Sequence, residues 1–325
     1  MSMGEIKRKD NSIVFINEKG NNYIPIKDIR EIYFLNEVSL NSKFLDFAAR
    51  TGIVMHFFNY YGQYSGTYYP KKQLISGKLT IKQCEAFKDN REIIAKAIVL
   101  GIADNIHETL YHYYKHGFKE IKPILDWYKK DVPLLLNKQL NIKQILYIEG
   151  LIWEKFYSTF DFILNKDYIF ERRTKRPPEN PLNALISFGN SLLYTKTITQ
   201  IYNTHLDQSI SFLHEPRESR FSLSLDLCEV FKPILVFKTI FDVVNNRKIQ
   251  VSKHFDKSLN YCMLNESGRK IFISEFEDRI NSTFQHKKLK RRTSYYNAIK
   301  LDGYKLIKFL LEDKEFKPFY LKELV

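Results

Sequence analysis

The sequence changes character at about Pro70, and this change constrains the fold more than any single motif does. Before it, short runs rich in β-branched and aromatic residues alternate with Gly and Asn turn signals: SIVFI, NYIPI, EIYFL, GIVMHFF and YSGTYY. One helix is predicted among them, from Leu40 to Arg50. From Lys78 onward, long amphipathic stretches predict helices. We therefore expect an α+β protein with a small N-terminal β-sheet domain, residues 1–75, followed by a larger all-α-helical domain, residues 76–325.

Prolines punctuate the helical part of the chain. Because proline lacks the backbone N–H and disfavours a helical residue before it, residues such as Pro123, Pro133 and Pro233 are predicted to mark breaks between helices. The two domains are expected to join near Lys71 to Gly77, and no internal repeat or low-complexity segment is evident.

The composition favours an anionic partner. The chain has 51 Lys and Arg against 37 Asp and Glu, a net charge of +14, which points to nucleic acid first and to an anionic membrane surface second. The N-terminal MSMGEIKRKDNS lacks the apolar core of a secretory signal, and no run of about 18 apolar residues could span a bilayer, so we expect a cytoplasmic protein without membrane segments. Cys84, Cys228 and Cys262 are widely separated and form no CxxC pair, which argues against a disulfide framework or a cysteine zinc site.

The stretch from Phe212 to Pro233, FLHEPRESRFSLSLDLCEVFKP, brings one imidazole and two carboxylates together. Its run SLSLDLCEVF is apolar enough for a buried helix, and Asp226 and Glu229, three residues apart, share one face of that helix. Acidic groups inside an apolar helix cost free energy unless a cation satisfies them, and a divalent metal that also binds His214 would do so. The alternative is a pair of exposed acids with an ordinary histidine upstream.

A second segment, Asn141 to Ile163, places a glutamate where none is expected. In NIKQILYIEGLIWEKFYSTFDFI, Glu149 stands among the apolar positions of a predicted helix. Glutamate is seldom buried unless it is paired or bound to a metal, so Glu149 is either part of a core salt bridge or a metal ligand. A third segment, NPLNALISFGNSLLYTKTITQIY, is predicted to be a core helix in which Gly189 and Ser191 allow close packing.

These segments, taken in order, resemble one known family. Glu149 within IEGLIWEKFY, then NPLNALISFGNSLLY, then His214 followed by SLSLDLCEVFKPILV, follow the order and spacing of the CRISPR adaptation integrases, which insert foreign DNA fragments into a CRISPR array. The N-terminal strands and the segment from Glu266 to Phe319 resemble the two ends of that family, so the resemblance covers nearly the whole chain. One departure is the dipeptide Phe237-Lys238, where the family pattern leads us to expect an acidic residue followed by a basic one.

The resemblance implies a metal-dependent DNA endonuclease and integrase whose helical domain is catalytic. Its metal would be held by Glu149, His214 and Glu229, while Asp226 supports these ligands or holds a second ion, so that all four residues are catalytic. Carboxylate oxygens with one imidazole nitrogen suit Mg²⁺ or Mn²⁺, and the nitrogen favours Mn²⁺, although zinc accepts the same donors. The attacking oxygen would come from water in cleavage and from the 3′-hydroxyl of an incoming fragment in strand transfer.

Three groups of basic residues are candidates for DNA contact. The first precedes a proline-rich break and comprises Arg172, Arg173, Lys175 and Arg176. The second is the acid-free run of Lys287, Lys288, Lys290, Arg291 and Arg292. The third is Arg217 and Arg220, close after His214, which either hold the reacting phosphate or neutralise Glu215 and Glu218. A charge run is also typical of a solvated surface, so the sequence leaves both roles open.

The expected partners follow from the resemblance. It implies a homodimer, built through the β domains and joined by a small second adaptation protein, that holds double-stranded and branched DNA across two active sites. Two sites acting on two strands make dimerisation mechanically sensible. A different class of function stays open: a non-catalytic architectural DNA-binding protein with a degenerate metal site. Nucleotide hydrolysis and serine esterase chemistry have no support, because the Walker, GxGxxG and GxSxG motifs are absent.

Overall fold

The chain divides into two units, Met1–Leu74 and Ile75–Val325. The computed structural model describes residues 3–71, 74–175, 177–218, 220–257, 261–287, 289–312 and 314–323, without the side chains of Asp28 and Glu323. Strands form most of the first unit and helices most of the second, which confirms the predicted α+β class. Within these described ranges no helix is both long and apolar enough to cross a membrane.

The N-terminal unit contains two small sheets. Its strands are β1 (Gly4–Lys9), β2 (Ser12–Asn17), β3 (Gly20–Pro25), β4 (Glu31–Phe34), β5 (Val38–Leu40), β6 (Val54–Phe58) and β7 (Tyr64–Tyr68). One sheet has the order β3-β2-β1-β5 and the other the order β4-β6-β7. The pairs β1/β5 and β4/β6 are parallel, and the remaining pairs are antiparallel hairpin neighbours.

Helix α1 (Ser42–Thr51) supplies the centre of the N-terminal core. The Asn41 side chain caps its start by accepting the Phe44 backbone N–H, and Gly52, with φ of 80°, ends it in the left-handed conformation that glycine adopts without strain. Phe44 and Ala48 on its apolar face are fully buried, and they cluster with strand residues such as Met55. The helix predicted from Leu40 to Arg50 is therefore present, shifted by one or two residues.

The second unit is mainly helical. Its helices are α2 (Gly77–Asp89), α3 (Arg91–Lys115), α4 (Lys122–Leu136), α5 (Ile142–Tyr157), α6 (Phe160–Ile163), α7 (Pro181–Tyr202), α8 (Ser222–Lys232), α9 (Lys238–Asn245), α10 (Glu266–Asn281) and α11 (Tyr295–Glu312). Polar caps start several of them: Asn141 and Gln144 form a capping box on α5, and Asn180 caps α7 directly before Pro181. The structure adds two short hairpins that the sequence did not indicate, β8 (Phe255–Lys257) with β9 (Cys262–Leu264), and β10 (Thr283–His286) with β11 (Arg291–Ser294).

Two of the prolines do not end helices as predicted. Pro133 lies inside α4. Pro233 follows α8 directly and begins a π-helical segment, Pro233–Phe237, which leads without a break into α9. A proline nitrogen donates no hydrogen bond, and the widened turn of a π-helix accommodates that loss where a regular ladder would not.

Helix α7 passes through the middle of the second unit and packs closely on its neighbours. A Cβ atom added at Gly189 would meet Val236 Cγ1 at 2.7 Å and Phe272 Cζ at 3.0 Å, so only glycine allows this approach without movement. The neighbouring π-helical segment is also held by rings, because the Phe237 centroid lies 4.9 Å from that of Phe156 and 5.6 Å from that of Trp153. These contacts hold the π-helical segment between α7 and α5.

Candidate active site

Asp226 is fully buried on α8, and its carboxylate accepts hydrogen bonds from the backbone that precedes the helix. Its Oδ2 accepts the N–H groups of Phe212 at 2.7 Å and Leu213 at 2.8 Å. Its Oδ1 accepts the N–H of His214 at 3.0 Å and lies 2.8 Å from the Nδ1 atom of the same histidine. Four donors use the hydrogen-bonding capacity of this carboxylate. Of the two roles expected of Asp226, the geometry favours support of His214 and opposes a second ion.

The contact with Asp226 sets the orientation of the His214 imidazole. An ionised carboxylate can only accept, so the proton shared with it belongs to Nδ1 and the Nε2 lone pair faces away from Asp226. Burial lowers the pKa of His214, but the hydrogen bond and charge of Asp226, aided by Glu229 and Glu149, outweigh burial and raise this pKa above its ordinary value. The imidazole therefore lies in a negatively charged setting.

Glu229 lies one turn after Asp226 on α8 and is 4% exposed. Its Oε1 atom forms an ion pair with the ammonium of Lys232. Burial alone lowers the pKa of Lys232, yet the charge of Glu229 raises it above the ordinary lysine value, so the ammonium stays protonated. The Lys232 Nζ atom also lies 5.9 Å from the centroid of the Trp153 ring, which brings α5 to the same place.

Glu149 faces this group from α5. Burial, and after it the negative charge of Glu229, raise the pKa of Glu149 to about 7, while His214, Lys232 and the Trp153 indole act in the opposite direction. Two carboxylates and an imidazole from three separate segments of the chain thus influence one another directly. The three residues that the sequence proposed as ligands thus lie within electrostatic reach of one another, and Lys232 is a fourth charged group among them.

The donor set fits a divalent cation in its chemistry. Carboxylate oxygens and an imidazole nitrogen are donors that Mg²⁺ and Mn²⁺ bind, and the pKa of Glu149 is raised first by burial and then by the negative charge of Glu229, a repulsion that a cation would offset. Across the described part of the chain, however, no three His, Cys, Asp or Glu side chains are gathered as closely as a metal ion requires. Lys232 lies against Glu229 instead and offsets part of the negative charge.

Further polar groups surround the carboxylates. Burial raises the pKa of Tyr157 to about 12, so its hydroxyl stays protonated. Lys175 is exposed at the surface, and its pKa is lowered by partial burial and by the charges of Arg173 and Lys232, while Glu229 and Glu149 raise it. Lys175, predicted to contact DNA, therefore lies within electrostatic reach of the candidate active site. Sequence reasoning missed Lys232, although its spacing of three residues from Glu229 on an apolar helix was a usable signal.

Arg173 does not fit its predicted DNA-binding role. Its guanidinium is half-buried and donates to Asn183 Oδ1 at 2.9 Å and to Ser187 Oγ at 3.0 Å, both on α7. Burial lowers the pKa of Arg173, and the nearby Tyr157 opposes that shift. Because its donors are satisfied inside the helical unit, this arginine anchors the loop rather than facing solvent.

The other basic residues near the site differ in availability. Arg172 is 77% exposed and makes one long ion pair, at 3.4 Å, with Glu179. Arg217 is exposed and Arg220 partly exposed. Neither neutralises Glu215 as the sequence allowed, because Glu215 pairs with Arg91 at 2.8 Å. The remaining member of the first group, at position 176, lies outside the described residues.

The β10–β11 hairpin carries the second basic cluster. Lys287, Lys290, Arg291 and Arg292 are all exposed on it, and the turn is tight enough to place Lys290 at a φ of 49°. Arg292 is ordered by hydrogen bonds from Nε and Nη2 to Thr283 Oγ1, at 3.0 and 2.8 Å. Position 288 lies outside the described residues. The turn concentrates positive charge, as a phosphate-binding surface requires.

A helical unit that presents Glu149, His214 and Glu229 after a small β-sheet unit matches one family. Residues 1–278 match the family described as CRISPR associated protein Cas1. The chain is 43% identical over 322 residues, covering 98% of this chain and 97% of the relative, to CRISPR-associated endonuclease Cas1 2 of Thermodesulfovibrio yellowstonii. The chain belongs to the CRISPR-associated Cas1 family.

Solved structures agree with this assignment. A Cas1 protein from Thermotoga maritima is 36% identical, with a TM-score of 0.84 and 97% of each chain covered. A casposase bound to integration product has the same fold, with a TM-score of 0.85 at 20% identity over 99% of this chain and 94% of that one. A Cas6-RT-Cas1–Cas2 complex contains a similar fold, with a TM-score of 0.82 at 16% identity over 98% of this chain and 35% of that one.

Proposed function

We propose that this protein is a metal-dependent DNA endonuclease and integrase that inserts short foreign DNA fragments into a CRISPR array. The observation that carries the proposal is the electrostatic influence of Glu149, His214 and Glu229 on one another, with Asp226 holding the imidazole. Membership of a family whose relatives are named endonucleases supports nuclease chemistry. The fold shared with a casposase bound to integration product supports strand transfer.

Glu149, Glu229 and the Nε2 atom of His214 would hold Mg²⁺ or Mn²⁺. When bound, such a metal polarises the phosphodiester and stabilises the charge on the attacking and departing oxygens. The role of Asp226 is to keep the His214 proton on Nδ1, so that Nε2 remains a donor atom. Lys232, beside Glu229, supplies a fixed positive charge for the reacting phosphate.

Cleavage and strand transfer use the same site and differ only in the nucleophile. In strand transfer, the 3′-oxygen of the fragment forms a bond to phosphorus and loses its proton. The bond between that phosphorus and the 3′-oxygen of the target strand breaks, and the departing oxygen takes up a proton. In cleavage, a water oxygen replaces the 3′-oxygen of the fragment. The exposed Lys175 and Arg217, near the acidic residues and His214, are suited to hold the flanking phosphates.

The same proposal includes the assembly. A homodimer formed through residues 1–75, with residues 76–325 as the catalytic domain of each subunit, would place two sites on one DNA fragment. A small second adaptation protein would join the two subunits. The fold shared with a chain of a Cas6-RT-Cas1–Cas2 complex supports such a partner. The basic β10–β11 hairpin would then contact double-stranded or branched DNA.

An assay of DNA joining tests the proposal. Purified protein is mixed with a labelled duplex carrying 3′-hydroxyl ends and a branched target, with Mn²⁺ or with chelator. We expect joined and cleaved products only with metal, and their loss in Glu149→Gln. Glu154→Gln is the matched control, because Glu154 lies on the same helix but is exposed. Salt-sensitive DNA binding without any metal-dependent product would instead support the architectural function.

A further inference from the structure

His214 lies in a connection whose backbone is held by side chains. From position 203 to position 221, between α7 and α8, the described residues form neither helix nor strand. The three consecutive N–H groups of Phe212, Leu213 and His214 all donate to Asp226. The backbone around His214 is therefore not positioned by the hydrogen bonds of a helix or strand of its own. The side chains that bind this tripeptide determine where the imidazole lies.

Arg91, at the first position of α3, binds the opposite edge of the same tripeptide. Its Nε donates to the carbonyl of Phe212 at 2.8 Å, and its Nη2 donates to Glu215 Oε1 at 2.8 Å and lies 3.5 Å from the carbonyl of His214. The guanidinium side chain is only 12% exposed and stacks over the Phe87 ring, 4.5 Å from its centroid. One arginine thus reaches both sides of His214 from 121 or more residues away in sequence.

Asp226 and Arg91, the two side chains that hold this tripeptide, lie on α8 and α3, and a hydrogen bond connects these two helices. Asn105 on α3 donates from Nδ2 to the carbonyl of Val230 on α8 at 2.9 Å, in a fully buried contact. The start of the connection is tied to α2, because Gln83 exchanges two hydrogen bonds with the backbone of Asp207, at 3.0 and 2.8 Å. The loop is therefore attached to α2 at Asp207 and to α3 at Phe212 and Glu215.

We propose that Arg91 is a positioning residue for the active site, and that Arg91 and Asp226 together fix the position and orientation of the His214 imidazole. Asp226 accepts the three N–H groups of the tripeptide, and Arg91 donates to the carbonyl of Phe212. The carbonyl of His214 accepts from Ser211 Oγ at 2.7 Å and lies 3.5 Å from Arg91 Nη2, so the imidazole is held from α8 and α3 at once. The assignment rests on the proposed function, since it gives His214 a ligand role. Arginine is required because its planar fork reaches several acceptors at once, which the single ammonium of lysine does not.

Amide hydrogen exchange of the metal-free protein tests the clamp without any catalysis. In Arg91→Met, the amides of Phe212, Leu213 and His214 should exchange at least tenfold faster than in the wild type, while the buried amides of α7 keep their protection. Arg91→Lys should lie between the two. The control Arg50→Met removes an exposed arginine of the N-terminal unit, paired within its own helix to Asp46, and should leave all of these amides unchanged.

Mn²⁺ affinity, measured by electron paramagnetic resonance, gives a second readout. We expect roughly tenfold weaker binding in Arg91→Met and partial recovery in Arg91→Lys, since loss of a group that orients a ligand costs about 10- to 100-fold. Wild-type exchange rates in Arg91→Met would overturn the proposal. So would loss of protection spread evenly over all of residues 75–325, which indicates a general structural role; if Arg91→Met does not fold, the same comparison is made with Arg91→Lys.

The two proposals fail in different ways. If the wild-type protein yields no metal-dependent DNA product, the proposed function is wrong, and the exchange rates of the three amides still decide whether Arg91 sets the loop. If the wild type is active and Arg91→Met is equally active with unchanged exchange, only the inference about Arg91 is wrong.

Discussion

Lys232, one turn after Glu229 on α8, forms an ion pair with the Glu229 carboxylate, and its positive charge also lowers the pKa of Glu149. The carboxylates proposed as metal ligands therefore already share a cation supplied by the protein. Such an arrangement reduces the cost of burying two acidic groups in the metal-free state. It also means that a metal ion must compete with Lys232 for Glu229.

Replacement of Lys232 separates metal binding from chemistry. In Lys232→Met, Mn²⁺ affinity should stay equal or increase, because the competing ammonium is gone. DNA joining should nevertheless fall roughly 10- to 100-fold, the effect of losing about 1.5–3 kcal/mol of interaction with a charged group in the reacting state. Mn²⁺ titration and a joining assay measure the two effects, with Lys248→Met, which breaks an exposed pair with Glu275, as the control. A parallel fall in Mn²⁺ affinity would show that Lys232 supports the ligands instead.

The raised pKa of Glu149 predicts a stability that depends on pH. In the unfolded chain this carboxyl ionises near 4.5, and in the metal-free folded protein near 7. Between these values the folded state keeps a proton that the unfolded state has lost, so stability falls as the pH rises from about 4.5 to about 7 and the penalty is complete above 7. Its full size is on the order of 3 kcal/mol.

Glu149→Gln removes that penalty while it abolishes activity. With chelator present, the variant should be more stable than the wild type at pH 8, and the difference should shrink at pH 5. Urea unfolding at the two pH values measures it, and Glu154→Gln, exposed on the same helix, should show no such trend. A destabilised Glu149→Gln at pH 8 would indicate that Glu149 belongs to a core ion pair.

Asp226→Asn tests the support of His214. The amide nitrogen cannot accept the N–H groups that now point at Oδ2 or Oδ1, so the variant should lose about 3 kcal/mol of stability or more. Mn²⁺ binding should weaken as the imidazole loses its fixed orientation. Urea unfolding and Mn²⁺ titration are compared with Asp161→Asn, an exposed aspartate on α6. Unchanged stability would contradict the four hydrogen bonds assigned to Asp226.

The β10–β11 hairpin should account for part of the salt dependence of DNA binding. Substituting Ser for Lys287, Lys290, Arg291 and Arg292 should weaken binding to all DNA sequences. It should also lower the slope of log affinity against log salt by about 0.9 for each phosphate that the variant no longer binds. Fluorescence anisotropy at several salt concentrations measures the slope. Arg173→Met is the contrast, because it should leave the slope unchanged and cost about 1–3 kcal/mol of stability by removing the hydrogen bonds of Arg173 to Asn183 and Ser187. An unchanged slope in the hairpin variant would mark that surface as merely solvated.

Local sequence patterns predicted the elements whose own residues carry the signal. The alternating runs ending before Pro70 correspond to β2, β3, β4, β6 and β7. Strand β1, GEIKRK, was missed because only Ile6 in it is buried and its charged residues do not suggest a strand, although it lies between β2 and β5. Its place is determined by its pairing with β2 and with the more distant β5, and the pattern of β1 alone does not contain that pairing.

In the candidate site, too, local sequence indicated some residues, while contacts between distant residues could not be predicted. Glu149, Asp226 and Glu229 stood out because each is acidic within an apolar helix, and His214 because it precedes Asp226 and Glu229 in one short stretch. The contact between Arg91 and the carbonyl of Phe212 spans 121 residues, so nothing in the neighbourhood of either residue indicates it. The prediction that Arg173 contacts DNA relied on its place in a basic run, which is typical of solvent exposure. Arg173 is instead half-buried, because it donates to acceptors on α7 that its own segment does not contain.

The π-helical segment Pro233–Phe237 restricts how this chain can change in length. Each residue added to or removed from an α-helix rotates the rest of that helix by about 100°. Helices α8 and α9 form one continuous run through this segment, so a single insertion there would turn Phe241 away from Phe160, whose centroid is 5.3 Å distant, if Glu229 kept its place. Substitutions in 222–245 can be absorbed one side chain at a time, whereas insertions cannot, and related chains should carry their insertions elsewhere.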